Sequence, residues 1–439
     1  MARVVFADET MVTKQQRIFV LLAILSSGTA GMATDEADAV NPAAEAPGVD
    51  VVAVPPLIKL WEAQAILNVK RDKVAYIEND EDVVIVQSTG GIVTTLNAET
   101  GRQMWTVQVG RTDEVAMPAS SNAAIVMIVA GPTLYALDKF SGKELFSYRL
   151  PSHPSAGPVI TEGSFFIPLS DNSLATCSLK TLQHLERYQT LPPGVPQAIA
   201  WRYVTGEGIR HVPVAGSNRV AVVSDRGNIY AVDISGIHAG KLQFEFLMQS
   251  PTTAPLTLVN REQEYLLAAA ANHRLFCIDM NKNGKMLWTY PLGHRVSEPI
   301  TVIGDDVYIV GDEGELMGLG LKSGLPIETV DQRQFAFTDV KMLVSVTNKA
   351  VYVIDSAGRL VTVNRRTGKV AAESHYPGLD VPLHNSVTDR VYLSSTSGLV
   401  VCMKESGIDF PIYHQNPERS PIMPEVAKPP AAVSEPAAE

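Results

Sequence analysis

Leu134-Tyr135-Ala136-Leu137-Asp138-Lys139-Phe140-Ser141-Gly142-Lys143-Glu144-Leu145-Phe146 contains two strands and the turn between them. The apolar alternating run up to Leu137 reads as a strand, with successive side chains on opposite faces. Asp138 followed by Ser141-Gly142 reads as a tight turn: the carboxylate bonds its own backbone and the glycine takes a positive φ. A second strand follows, ending in an aromatic able to pack between neighbouring sheets. The same unit recurs at Val93 to Trp105, with Leu96-Asn97 and Thr100-Gly101 at its turn. It recurs again at Leu275 to Trp288, through Asp279 and Gly284-Lys285, and at Leu360 to Lys369, through Asn364 and Thr367-Gly368.

Weaker copies complete the set. Val232-Asp233 carries one, Cys177-Ser178 leads to a degenerate turn at Lys180-Thr181, Leu319 leads to Lys322-Ser323-Gly324, and Cys402 leads to Glu405-Ser406-Gly407. The apolar residues before the turns are Leu96, Leu137, Cys177, Val232, Ile278, Leu319, Val363 and Cys402. They recur at roughly the 40–45-residue period of a four-stranded propeller blade. The interval from Cys177 to Val232 is longer. Each mark has another apolar run before it, such as Ala124 to Val129 or Val307 to Val310, and Pro118, Pro158, Pro255, Pro299 and Pro382 open blades. Proline is tolerated at a strand start. The predicted fold is all-β: one eight-bladed β-propeller of four-stranded antiparallel blades. An open ring would expose sheet edges. The last unit lacks a fourth strand of its own, and Leu57-Ile58-Lys59-Leu60-Trp61 is predicted to supply it; Phe410 to Tyr413 is the competing closer.

Both ends depart from the repeat. Lys14 and Arg17 precede an apolar run, Ile18 to Leu25, and small residues follow to Gly31-Met32-Ala33. This pattern predicts an export signal over residues 1–33, with Met11 as an alternative start and an uncleaved anchor or a buried segment as the competing readings. The apolar run is short for a membrane span, and no cysteine lies near the cleavage point to carry a lipid. Residues 34–55 read as a flexible linker and 411–439 as a Pro/Ala/Glu-rich tail, which leaves a folded body of 56–410. The expected location is periplasmic or otherwise extracytoplasmic. A formal net charge of -11 without a lysine/arginine run argues against nucleic acid.

The pattern Leu-Tyr-Ala-Leu-Asp-x-x-Ser/Thr-Gly-Lys-x-x-Trp/Phe resembles the repeat of the pyrroloquinoline-quinone (PQQ)-type propellers, over nearly the whole folded body. Within that group, the quinoprotein dehydrogenases imply PQQ and Ca²⁺ on the axis, an adjacent cysteine pair and an aspartate base. The cysteine pair is absent and no other member can be matched to a residue. The propeller lipoproteins of outer-membrane β-barrel assembly are similar in size and blade number. That resemblance implies a non-catalytic, monomeric docking scaffold with an envelope or secreted protein partner, and no cofactor. A PQQ/Ca²⁺ oxidoreductase and an axial funnel for carbohydrate or peptide are the alternative functions.

The residues yield no catalytic, cofactor or metal set. Cys177, Cys277 and Cys402 fall in separate blades and read as buried structural thiols. Histidine ligand spacings such as HExxH are missing. Links between blades gather around the mouth of the central channel, and Arg111, Asp113, His153, His294, Arg295 and Glu298 lie on them. They form a candidate polar funnel, or simply a solvated loop set. The long interval holds Pro192-Pro193-Gly194 and then Trp201-Arg202-Tyr203. Extra length becomes a surface loop, and Trp, Arg and Tyr are favoured interface anchors, so these three are a candidate partner-binding loop. The competing reading makes Trp201 an inner-strand residue packed between blades.

Overall fold

The computed structural model describes residues 54–420 apart from 69, 262, 328–334 and 336. The predicted signal segment, most of the linker and the tail beyond 420 lie outside the described residues. Each repeat folds as an antiparallel sheet whose strands pair in chain order. Blade two shows the pattern: Ser120–Ser121, Ile125–Ala130, Thr133–Asp138 and Glu144–Arg149. Eight such sheets make an eight-bladed β-propeller, and seven have all four strands among the described residues. In blade six three are described, Thr301–Ile303, Asp306–Val310 and Leu316–Gly320. A bridge from Leu319 to Pro326 stands where the fourth would start.

Blade eight closes the ring as predicted. Its strands Val381–Pro382, Val391–Ser394 and Leu399–Glu405 come from the carboxyl end, and Leu57–Gln64 from the amino end pairs antiparallel with the last of them. The competing segment does something else: Tyr413 bridges Thr388, in the inner hairpin of the same blade.

The core is not central. It is divided into eight apolar clusters, each between two neighbouring blades. The repeat motif builds these junctions. The Asp138 carboxylate accepts the Phe140 and Ser141 amides and the Ser141 hydroxyl, at 3.2, 2.8 and 2.7 Å. Gly142, at φ +70°, then lies flat against the Trp105 ring of the preceding blade, where a Cβ would come within 2.6 Å of the indole. The Trp105 indole N–H donates to the Lys139 carbonyl at 2.8 Å, so one side chain fills the junction and satisfies the next turn. Trp61 and Trp288 repeat the bond to Ala98 and Leu321. A register shift beside the marker residue, as between Ala136 and Leu137, accompanies the motif in the outer strand pair. Such bulges re-aim a side chain.

The third copy departs furthest from the rule. Where blade three lacks its Asp-x-x-Ser/Thr-Gly turn, the chain forms a helix, Leu179–Tyr188, whose Leu179 and Leu182 enter the cluster containing Phe146. The folded body also extends past residue 410. Pro411 and Tyr413 are buried, so the expectation of a tail from 411 is corrected to a segment packed around Tyr413 and bonded to the ring as far as Arg419. It is fixed by a single bridge at Tyr413 and by polar bonds to specific turns, not by a paired strand, and periodicity does not show such contacts.

Candidate functional site

Alternation of strand direction sorts the connections onto two faces. Blade-to-blade links and middle hairpins share one face; inner hairpins and the Asp/Asn turns share the other. All six funnel residues lie on the link face, in three separate links. Arg111 pairs with Asp113 in its own link, Nε to Oδ1 3.3 Å. His153 is exposed, and its carbonyl accepts the Ser170 amide at 2.8 Å. His294 lies between two carboxylates of the blade-six hairpin: Nδ1 is 3.0 Å from Glu313 Oε1, and Nε2 is 2.9 Å from Glu315 Oε1. Arg295 faces Asp312 at 3.7 Å. Glu298 is half-buried. Burial, then the Asp312 carboxylate, raise its pKa against the pull of Lys341 in blade seven. Among the described residues no hydrogen bond or ion pair joins the three links.

His294, Glu313 and Glu315 are the one group of three potential metal ligands among the described residues. One ring nitrogen and one oxygen of each carboxylate lie within 4.8 Å of one another, and the two ion pairs to the imidazole account for that closeness without a metal. Sequence spacing could not find this group, because the hairpin residues reach His294 only through the blade five–six link.

Trp201-Arg202-Tyr203 is neither the expected loop nor an inner strand: it lies on the outer strand of blade three, Ile199–Val204, though packed between blades as the competing reading had it. Trp201 packs on Phe166, ring centroids 5.8 Å apart, and takes the junction place against Gly240 of blade four. Tyr203 meets Tyr230 across the same junction at 6.0 Å. Arg202 points the other way, its guanidinium bonded to Asp171 and to Ser173 Oγ. The extra length was absorbed earlier, by the helix and the Pro192-Pro193-Gly194 loop. That insertion is the exposed feature of blade three. Tyr188 is 56% exposed. His184 lies 4.6 Å from its ring and the Arg187 guanidinium 5.4 Å from it.

The three cysteines are free and buried in three different junctions. Burial pushes the Cys177 and Cys277 thiols up to about 12, which removes the thiolate needed for nucleophilic or redox chemistry near neutral pH.

On the axis, Thr301 of blade six lies 3.3 Å from His384 Nε2 of blade eight, skipping blade seven. A cavity of about 270 Å³ opens there, lined by Thr257, Asn260 and Arg261 of blade five, by His384, and by His414 and Gln415 of the carboxyl-terminal segment. Its lining contains no carboxylate. Ca²⁺ is held by carboxylate and carbonyl oxygens, so these residues do not fit a quinone–calcium pair.

Ring closure, the repeated aromatic-on-glycine junction and the Asp/Asn turn together define an eight-bladed propeller of the PQQ-like repeat class. The family model described as outer membrane protein assembly factor BamB matches residues 59–128, 89–235 and 253–407, well over half of the chain. The chain belongs to that family. Among solved structures it is similar to BamB from Moraxella catarrhalis, at 18% identity and TM-score 0.58 over 81% of this chain and 99% of that one. It is similar at 13% identity and TM-score 0.58 to the computationally designed Ika8 protein, over 79% of this chain and 99% of that one. Sqt1 of Saccharomyces cerevisiae matches equally, at 13% and 0.58, over 79% and 98%. At these identities the likeness to solved structures speaks to fold alone. No curated protein matches the chain.

Proposed function

We propose that this chain is an exported, non-catalytic scaffold of the bacterial cell envelope that holds a protein partner. Family membership supports an envelope role, and the signal-like residues 1–33 support export. The observation that carries the docking role is the interruption of one blade. Five junctions set an aromatic ring on a turn glycine of the next blade, whereas blade three inserts a helix and a proline-rich loop that carry Tyr188, Arg187 and the half-buried His184 as one surface cluster. Aromatic and arginine side chains held rigidly at low entropic cost are effective interface anchors.

Among the described residues no helix is long and apolar enough to cross a membrane. Co-purification from native envelope fractions tests the reading. The double variant Tyr188→Ala/Arg187→Glu is expected to lose a partner that the wild type retains, with unchanged thermal stability. An identical set of bound proteins would remove the helix from the interface, and absence of any envelope protein from the wild-type sample would remove the scaffold role.

A further inference from the structure

Blade eight is the one blade assembled from both chain ends, so the ring has a seam that no covalent hairpin crosses. The strand Leu57–Gln64 is held to Leu399–Glu405 by backbone pairing from Leu57↔Glu405 to Gln64↔Leu399. Beyond Glu405 the chain crosses the face that carries the Asp/Asn turns. It first bonds to blade eight's own inner hairpin: the Ile412 amide donates to Asp389 Oδ1 at 3.0 Å, and the His414 amide to the Val387 carbonyl at 2.9 Å. Tyr413 is 1% exposed. His414 and Gln415 then form part of the wall of the axial cavity, facing Asn260 and Arg261 of blade five. Finally the segment reaches blade one. Asn416 Nδ2 donates to Glu81 Oε1 at 2.7 Å, and Arg419 pairs with Glu81 and with Asp82, the latter at 2.6 Å.

Buried charges under this segment tie blade eight to blade one and blade one to blade two. Arg390 of blade eight is fully buried, donating to Glu99 of blade one at 3.1 Å and to the Asp409 carbonyl at 3.4 Å. Lys139 of blade two is 2.8 Å from both Asp80 and Asp82, so the Arg419 guanidinium adds a second cation to a carboxylate already committed to the blade one–two junction. A buried or half-buried pair of this kind is costly to break from one side, because the partner charge is left unpaired.

We propose that residues 408–420 are a clasp: a second, independent lock across the seam from blade eight to blade one, which also walls the axial channel at the turn face. Opening the ring then requires two events, loss of the Leu57–Gln64 pairing and release of the clasp. Cooperative units that open together share their hydrogen-exchange behaviour.

The test is native-state hydrogen exchange on the full chain and on Arg419→Glu, with Arg419→Glu/Tyr413→Ala as the stronger release variant. The Ile412 and His414 amides report the clasp itself. Once they lose protection, amides of Leu57–Gln64 and of 385–390 are expected to exchange at least tenfold faster, while blades three to five keep wild-type rates. Clasp amides that already exchange at unprotected rates in the wild type would overturn the proposal. So would a released clasp that leaves the seam strand at its wild-type rate, or uniform acceleration over all eight blades.

Discussion

His414 and Glu78 show how burial sets protonation at single positions. Burial lowers the His414 imidazole to a pKa of about 4, against carbonyls of Thr388 and Val346 that favour the protonated ring. The docked state therefore binds fewer protons than the released one between that value and the ordinary histidine range. Docking is fully stable above about pH 6.5 and weakens as pH falls from there toward 4. Between pH 7 and pH 5 the wild type is expected to lose up to about 2 kcal/mol in denaturant unfolding, and His414→Gln markedly less. Glu78, on the inner strand of blade one, has the opposite sign: burial raises its carboxyl to about 7. Its proton is retained in the folded state, so stability falls as pH rises from the ordinary carboxyl range through 7. Glu78→Gln is expected to stabilise the protein at pH 8 by about 1–3 kcal/mol and to leave pH 4 stability unchanged, read as a shift in the guanidinium midpoint.

At the scale of the strand-and-turn element, the aromatic on glycine predicts where substitutions act. Trp201→Ala is expected to cost about 3–5 kcal/mol through the lost junction packing, while leaving partner capture per folded molecule intact. Its neighbour Arg202 faces away from the junction and is expected to show a far smaller change. Differential scanning calorimetry paired with co-purification separates the two effects.

The strand, the turn and its glycine were legible because each is dictated locally, by alternation and by the φ that Gly142 must adopt. Closure by Leu57 to Trp61 was legible because an unpaired edge is costly and Trp61 matches Trp105. Trp201 was misplaced because the inserted helix moves it away from its marker residue. The fixed offset from turn glycine to aromatic, Gly101 to Trp105 or Gly284 to Trp288, has no glycine to start from in blade three. The missing glycine at Lys180-Thr181 was itself the available signal for an insertion. The packed segment beyond residue 410 left no such trace, since Arg419 finds Glu81 only after both ends of the chain have met.

For the whole molecule, the arrangement of core into eight junctions has a practical consequence for measuring how the ring comes apart. Each free thiol reports a different place: Cys177 between blades two and three, Cys277 between five and six, and Cys402 between eight and one. A thiol reagent added without denaturant can modify each sulfur only when its own junction parts, so mass mapping of the first labelled peptide would identify where rupture begins. If the seam is the weakest place, Cys402 is expected to be modified first, and in Arg419→Glu sooner still. Equal labelling of all three would mean that the circle breaks as one piece, with no preferred point of entry for solvent.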